Sequence, residues 1–283
     1  MSGGFWTLDR IADALADEAV VRLPRGSAAV TGITTDTRKI GKGNVFLALR
    51  GERFDGHDYL ADAVREGAAA LIVSRAPRLA SIGVPIFEVR DTLVALGALA
   101  HYWRKAWGKT IVGVAGSNGK TSTKDLLRAS LERAYSVHAT TGNLNNRVGV
   151  PLTLLAMPAE ADIAVIEVGT SLPGEVAILR DIAEPDLALV TSIAEEHLEG
   201  LGDLAGVLRE EAAVYEGAAT AIAPSAHRRS RSPRGIRRDE WSWQGSTAMP
   251  TSSPIGGILV RMASVSSRST ARPSGRRCAD CTI

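Results

Sequence analysis

A glycine-rich turn lies between an apolar segment and a segment of helical composition in the stretch IVGVAGSNGKTSTKDLL, residues 111–127. Glycines let successive backbone N–H groups face one anion, and the start of the following helix adds its positive dipole end. The short pattern G-x-x-G-K-T fits Gly116–Thr121, whereas the strict pattern G-x-x-x-x-G-K-[ST] fails by one residue. The turn therefore predicts a phosphate-binding loop, formed by Gly116, Ser117, Asn118, Gly119, Lys120, Thr121 and Ser122.

ATP is the predicted ligand of this loop, because the dinucleotide pattern G-x-G-x-x-G is absent and a Lys-Thr pair is present. Lys120 would contact the outer phosphates, and the Thr121 hydroxyl would hold Mg²⁺. The alternative is an ordinary glycine-rich turn between a strand and a helix. An apolar strand before the turn and the amphipathic segment TSTKDLLRASLERA after it favour phosphate binding.

Apolar segments alternate with helical ones on both sides of this turn. NVFLALRG, AALIVSR and VPIFEVRD are typical of strands, DYLADAVREGA of a helix, and DTLVALGALAHYWRKAW of a helix capped by Asp91. Three later strands, TIVGVAG, DIAVIEVG and DLALVTSI, predict a parallel sheet that is covered on both faces. Such sheets bind ligands beyond the carboxyl ends of their strands, where the glycine turn, Glu167 and the approach to His197 lie.

The composition of the 283 residues is that of a globular protein long enough for two domains. No apolar run approaches the roughly 18 residues of a membrane span, and the first residues do not resemble a secretion signal, so we expect a cytoplasmic protein. The net charge of +2 is uneven, since residues 225–283 contain 11 Arg, no Lys and 3 acidic residues. The charge of residues 225–283 therefore has to be interpreted separately from that of residues 1–224.

Four motifs occur in the order GSNGKTSTKDLL, TTGNLNNRVGVPLTLL, VIEVGTSLPGEVAIL and SIAEEHLEGLGDLAGV, and they resemble those of the Mur ligases of peptidoglycan synthesis. The stretch TTDTRKIGKGNVFLALRGERFDGHDYLADAVREGAAALIV is similar to the substrate-nucleotide domain of that family. The resemblance covers residues 33–224. It implies an α/β fold with a UDP-substrate-binding domain at residues 1–106 and a parallel-sheet, P-loop ATPase-type central domain, incomplete, at residues 107–224.

The TGNLNN segment is most similar to that of the family members that add D-alanyl-D-alanine to UDP-N-acetylmuramoyl-tripeptide. The resemblance therefore implies a monomeric amide ligase of cell-wall biogenesis, cell shape and division. It would use ATP and Mg²⁺ to form an acyl phosphate, with those two substrates and no nucleic acid or membrane as partner. One alternative is a UDP-sugar-peptide-binding fragment without catalysis. A folate-type ligase shares the phosphate loop, but the TTDTR segment argues against it, and generic nucleotide hydrolysis is the interpretation without the family.

The resemblance also implies roles for individual side chains. The catalytic residues would be Lys120, Glu167 and His197, and the metal ligands Thr121, Glu167, His197 and Glu211. The family carries a carbamoylated lysine at the position that corresponds to Glu211, whose carboxylate could replace the carbamate or leave a weakened site. Without the family, a glutamate after a strand is usually solvated, and His197 would more often be a surface residue.

Substrate-binding residues follow from the same resemblance. The muramoyl-peptide would lie near Thr141, Asn143, Asn145 and Asn146, with Thr140 close by. The uridine diphosphate would lie near Thr35, Asp36 and Arg38, since arginine suits phosphate. The alternatives are turn-forming asparagines and a hairpin at TTDTR. His57, in the DGH motif, is a further candidate.

Residues 225–283 depart from the family pattern. The family has a third domain that closes over ATP, and we expect this chain to lack it and to turn over little as a result. The segment is rich in Arg, Ser and Pro without a sustained period, which predicts disorder. A frameshift in an Arg- and Ala-rich gene would produce such a change, and an Arg-Ser RNA-binding tail is the alternative. Cys278 and Cys281 form one C-x-x-C pair, but zinc requires a second pair.

Overall fold

The computed structural model describes residues 4–51, 54–75, 83–224 and 262–263. These residues form two β-sheets, one of four strands and one of six, each accompanied by helices. No helix within those ranges is both long and apolar enough to cross a membrane. The expectations for residues 225–283 and their two cysteines lie outside the described residues, apart from the two-residue strand Met262–Ala263.

The first sheet consists of four parallel strands that pair in chain order. Strands β1 to β4 are, in turn, Gly32–Thr34, Asn44–Leu47, Ala70–Val73 and Ile86–Glu88. Helices α1 and α2 span Leu8–Ala14 and Leu60–Arg65, and three 3₁₀ helices span Ala16–Glu18, Thr37–Lys39 and Gly56–Tyr59. The three predicted strands and the predicted helix between them are confirmed. Because β1 and β2 are parallel, the hairpin alternative for TTDTR is wrong.

Both faces of the first sheet are covered, and every residue of β2 and β3 is buried. Phe46 and Leu71 pack with Leu60 of α2 in one cluster. Val45 and Ile72, which point to the opposite face, belong to a larger cluster with α1. Burial on two faces explains why residues 45–47 of β2 and all of β3 are continuously apolar instead of alternating.

The second sheet and its helices follow in the chain. Strands β5 to β10 span, in turn, Thr110–Ala115, Val137–Ala139, Ile163–Glu167, Leu187–Val190, Thr220–Ile222 and Met262–Ala263. Helices α3 to α8 span Thr92–Trp107, Lys120–Leu131, Gly149–Leu155, Glu175–Ala183, Leu198–Leu201 and Leu204–Ala212, and the 3₁₀ helix Ala213–Tyr215 follows α8. The predicted strands at β5, β7 and β8 and the amphipathic helix α4 are confirmed.

The second sheet has the strand order β6-β7-β5-β8-β9-β10. The chain passes from β5 to the edge strand β6, returns to β7 and then crosses to β8 on the other side of β5. Pairing is parallel from β6 to β9, as predicted, and β10 pairs antiparallel with β9. The carboxyl ends of β5, β7 and β8 therefore meet at the kind of crevice that binds ligands in open α/β sheets.

Helix α3 connects the two sheets. The Asp91 side chain accepts two backbone N–H groups of its first turn, so the predicted cap is confirmed. The helix ends at Gly108, whose φ of 65° is a conformation that glycine adopts without a Cβ penalty. Arg104, only 6% exposed, donates to two carbonyl groups at the end of α6. These contacts attach α3 to the helices of the second sheet.

Candidate functional site

The phosphate loop follows β5 and is held by the end of β8. A Cβ at Gly116, where φ is 115°, would lie 2.5 Å from Thr191 Oγ1 and 2.7 Å from Thr191 N, so only glycine fits. The Ser117 N–H donates to the Ser192 carbonyl at 2.8 Å, and the Asn118 N–H donates to Ser192 Oγ at 3.0 Å. The neighbouring strand thus sets the path of the loop.

The loop presents several unpaired donors. Among the described residues, the backbone N–H groups of Gly119, Lys120, Thr121 and Ser122 have no hydrogen-bond acceptor, and they lie at the start of α4. Lys120 Nζ donates to the carbonyls of Gly116 at 2.5 Å and Ser117 at 3.3 Å. An ammonium group and free N–H groups at a helix start are suited to an anion with several oxygens.

Glu167 is the last residue of β7 and is 2% exposed. Its Oε2 accepts a hydrogen bond from Thr121 Oγ1 at 3.0 Å, and its Oε1 accepts one from Asn145 Nδ2 at 2.8 Å. Its backbone N–H donates to Thr140 Oγ1 at 2.9 Å. The structure thus joins residues from the ends of β5, β6 and β7. A carboxylate beside a hydroxyl is an oxygen donor set that fits Mg²⁺, which usually retains several waters.

Lys124 is a residue of this region that the sequence analysis missed. It is 4% exposed and lies one helical turn after Lys120 in α4. Its Nζ donates to the Thr140 carbonyl at 2.9 Å. The side chain of the same threonine accepts the Glu167 N–H. The spacing of four residues from Lys120 was the available signal, because such residues share one face of a helix.

Glu211 lies at the phosphate loop and is 0% exposed. Its Oε2 accepts the Gly116 N–H at 2.6 Å, whereas its Oε1 has no partner within the described chain. Burial raises the pKa of Glu211 to about 7, opposed by the Gly116 hydrogen bond and the charge of Lys120. The hydrogen bond joins Glu211 to the loop and not to Glu167, so its role as a metal ligand stays a prediction.

His197 is exposed and precedes α7 with a φ of 49°. Its carbonyl accepts the N–H groups of Gly200 and Leu201, so its backbone begins that short helix. Within the described ranges, its imidazole forms no hydrogen bond, and no group of three or more His, Cys, Asp or Glu side chains could hold a metal ion. The described residues therefore show no hydrogen bond between this imidazole and Glu167, and its catalytic and metal roles stay predictions.

The asparagine loop, residues 141–146, contains side chains that form hydrogen bonds within the protein and side chains that are exposed. Asn145 binds Glu167, and its carbonyl accepts the Gly169 N–H at 2.8 Å. Asn146 Oδ1 accepts two N–H groups at the start of α5, at 3.1 and 2.9 Å. The side chains of Thr141 and Asn143 are exposed beside them. Of the four predicted substrate residues in this loop, Asn145 and Asn146 thus form hydrogen bonds that hold it, and all but Asn145 are exposed.

The remaining predicted residues lie beyond the carboxyl end of β1, except His57, which lies between β2 and α2. Thr35 follows that strand, and Asp36 accepts bidentate hydrogen bonds from Arg38 Nε and Nη2, both at 2.9 Å. The Arg38 hydrogen bond holds the pKa of Asp36 below its usual value. His57 contacts Asp55 Oδ1 through Nδ1 at 2.6 Å. These residues follow strands of the first sheet, whereas the phosphate loop follows β5 of the second sheet, and no described hydrogen bond joins the two groups.

Comparison with known families matches two parts of the chain. A model described as the Mur ligase middle domain matches residues 114–231, and one described as the Mur ligase family, catalytic domain, matches residues 29–104. Together they cover well over half of the chain.

Curated relatives include the UDP-N-acetylmuramoyl-tripeptide--D-alanyl-D-alanine ligases of Bacillus subtilis and Escherichia coli. The first is 42% identical over 188 residues, which is 66% of this chain and 41% of the relative. The second is 42% identical over 211 residues, which is 75% of this chain and 45% of the relative. The chain thus spans less than half the length of these relatives.

Two solved structures resemble the chain in fold and sequence. Crystal structure I of MurF from Acinetobacter baumannii has a TM-score of 0.71 and 33% identity, covering 78% of this chain and 49% of that one. The MurF ligase from Thermotoga maritima in complex with ADP has a TM-score of 0.63 and 35% identity, covering 68% of this chain and 44% of that one.

Proposed function

Since the chain belongs to the Mur ligase family, we propose that it acts as an ATP-dependent ligase that joins D-alanyl-D-alanine to UDP-N-acetylmuramoyl-tripeptide. The observation that carries the proposal is the phosphate loop beside the hydrogen-bonded pair of Thr121 and Glu167. Support for the substrates comes from the names of two relatives at 42% identity. We also propose a cytoplasmic location for this reaction.

The loop addresses an electrostatic problem of this reaction, in which a carboxylate must attack the γ-phosphate of ATP. The free N–H groups of residues 119–122 would hold the phosphates. Lys120 would leave the carbonyls of Gly116 and Ser117 and turn to the phosphate oxygens. Thr121 and Glu167 would hold Mg²⁺, which supplies positive charge against the repulsion when it is bound.

In the proposed reaction, the terminal carboxylate of the tripeptide takes the γ-phosphoryl group of ATP and forms an acyl phosphate and ADP. The amine of D-alanyl-D-alanine then attacks the acyl carbon, and phosphate leaves from the tetrahedral intermediate. Thr35, Asp36 and Arg38 would contact the uridine diphosphate, and the exposed Thr141 and Asn143 would contact the muramoyl-peptide.

Calorimetric titration with ADP and Mg²⁺ tests the nucleotide site. Lys120→Ala should weaken binding roughly 10- to 100-fold, because a hydrogen bond to a charged group contributes about 1.5–3 kcal/mol. Lys105→Ala is the matched control, since that lysine pairs with Glu184 at an exposed position. Equal affinities of the two variants would refute the assignment of the loop.

Isotope transfer tests the ligase reaction itself. UDP-N-acetylmuramoyl-tripeptide labelled with oxygen-18 at its terminal carboxylate should pass label to inorganic phosphate when ATP and D-alanyl-D-alanine are present. A chain that binds ATP and UDP-N-acetylmuramoyl-tripeptide but transfers no label to phosphate and releases no ADP would contradict the ligase reaction. That result would favour the alternative of a binding fragment without catalysis.

A further inference from the structure

Helix α8 carries two adjacent buried carboxylates, and each binds a different loop. Glu210 is 7% exposed and Glu211 is 0% exposed. Glu211 accepts the Gly116 N–H of the phosphate loop. Glu210 turns to the loop between β7 and α6, residues 168–174, which begins directly after Glu167. One turn of one helix therefore contacts both loops at the crevice.

Glu210 accepts three hydrogen bonds from this second loop and the helix it leads into. Its Oε1 accepts from Thr170 Oγ1 at 3.1 Å and from the Val176 N–H at 2.8 Å, and its Oε2 accepts from the Gly174 N–H at 2.7 Å. Gly174 precedes α6 with a φ of 85° and has no side chain to cap that helix. Glu210 supplies the missing acceptor and a negative charge at the helix start.

The loop that Glu210 holds is also tied to the surroundings of Glu167. The Gly169 N–H donates to the Asn145 carbonyl at 2.8 Å, and Asn145 Nδ2 donates to Glu167. A Cβ at Gly169 would lie 2.8 Å from Asn145 Cγ, so the two segments are in close contact. A displacement of the loop would therefore move Asn145 and, through it, the Glu167 carboxylate.

We propose that Glu210 is a positioning residue, which fixes Glu167 relative to Thr121 by anchoring the β7–α6 loop to the helix that also holds the phosphate loop. The inference rests on the proposed nucleotide site. The proposal implies that the affinity for Mg²⁺ with a nucleotide depends on Glu210, although this side chain would contact neither the metal nor the nucleotide. Buried neighbours that orient a metal ligand commonly affect metal affinity about 10- to 100-fold.

The test compares Glu210→Gln with Glu175→Gln. Glutamine keeps the size of Glu210 but has only one accepting oxygen. Its NH₂ group must therefore face an N–H or hydroxyl donor, and at least one of the three hydrogen bonds is lost. Glu175 is the matched control, because its Oε2 accepts the N–H groups of Ser171 and Leu172 in the same loop without a link to α8. We expect Glu210→Gln to weaken ADP binding roughly tenfold with Mg²⁺ and little in EDTA. Glu175→Gln should change neither affinity.

Hydrogen exchange on the nucleotide-free chain gives an independent readout. Glu210→Gln should accelerate exchange in peptides that cover residues 112–118 and 169–176, whereas Glu175→Gln should accelerate only the second peptide. Acceleration confined to residues 169–176 in both variants, or equal weakening of ADP binding with and without Mg²⁺, would overturn the coupling.

The two proposals can fail separately. A wild-type chain that binds no ADP would overturn the nucleotide site, and the exchange result alone would then decide whether α8 couples the loops. If Glu210→Gln does not fold, Glu210→Asp, which keeps the charge on a shorter arm, is measured by the same exchange experiment with the same two outcomes.

Discussion

The replacement Gly116→Ala separates close packing from backbone strain at the phosphate loop. The new Cβ would lie 2.5 Å from Thr191 Oγ1, 2.7 Å from Thr191 N and 2.9 Å from the Ser192 carbonyl oxygen. Two of these atoms belong to the backbone at the end of β8 and cannot rotate away. Gly119→Ala is the matched control in the same loop, because φ is 87° there and no atom lies within 4 Å of the added Cβ.

The two substitutions differ in the terms that contribute to unfolding free energy. A residue with a Cβ at positive φ costs about 1–2 kcal/mol, which is all that Gly119→Ala should lose. Gly116→Ala adds an overpacking cost of about 1–3 kcal/mol, so its total loss should be about 2–5 kcal/mol. It should also lengthen the hydrogen bond from the Ser117 N–H to the Ser192 carbonyl, now 2.8 Å.

Urea unfolding of the full 283-residue chain measures both losses, with the midpoint and slope taken from one linear extrapolation. Gly116→Ala should shift the midpoint to clearly lower urea than Gly119→Ala at an unchanged slope. If Gly119→Ala destabilises the chain as much as Gly116→Ala or more, the close approach of β8 to the loop does not limit this position, and the reasoning fails.

Three further substitutions test single contacts. Burial raises the pKa of Glu211 from 4.5 to about 7, so wild-type stability should fall as pH rises between these values. Glu211→Gln should remove that fall and raise the free energy of unfolding by up to about 3 kcal/mol near pH 8, as measured by urea unfolding. An equal gain near pH 5 would contradict this. Lys124→Met removes the donor to the Thr140 carbonyl and should cost about 1–3 kcal/mol in the same assay, and no loss would show that the carbonyl finds another donor. Asp91→Ala removes the cap of α3 and should cost about 1 kcal/mol, with a lower thermal midpoint as the readout and an unchanged one as the refutation.

Local chemistry made part of the fold predictable. The buried strands β2, β3, β5 and β7 are apolar at every position except at most a terminal one, so their burial on two faces could be inferred without a partner strand. The cap at Asp91 and the glycine turn at Gly116–Thr121 depend on neighbours within a few residues. The strands β1, β6 and β9 have only three residues each and were not predicted, whereas the equally short β4 lies within the mainly apolar stretch VPIFEV, residues 84–89.

In the candidate site, too, some features follow from the local sequence and others do not. The sequence by itself determined that Lys120 and Thr121 stand at a helix start and that Glu167 ends an apolar strand. Only the tertiary structure decided that Asn145 turns to Glu167, that His197 is exposed and that Glu210 and Glu211 bind different loops. Spacing along a helix or strand is set by backbone geometry, whereas contacts between distant segments depend on strand order and on which buried polar groups need partners.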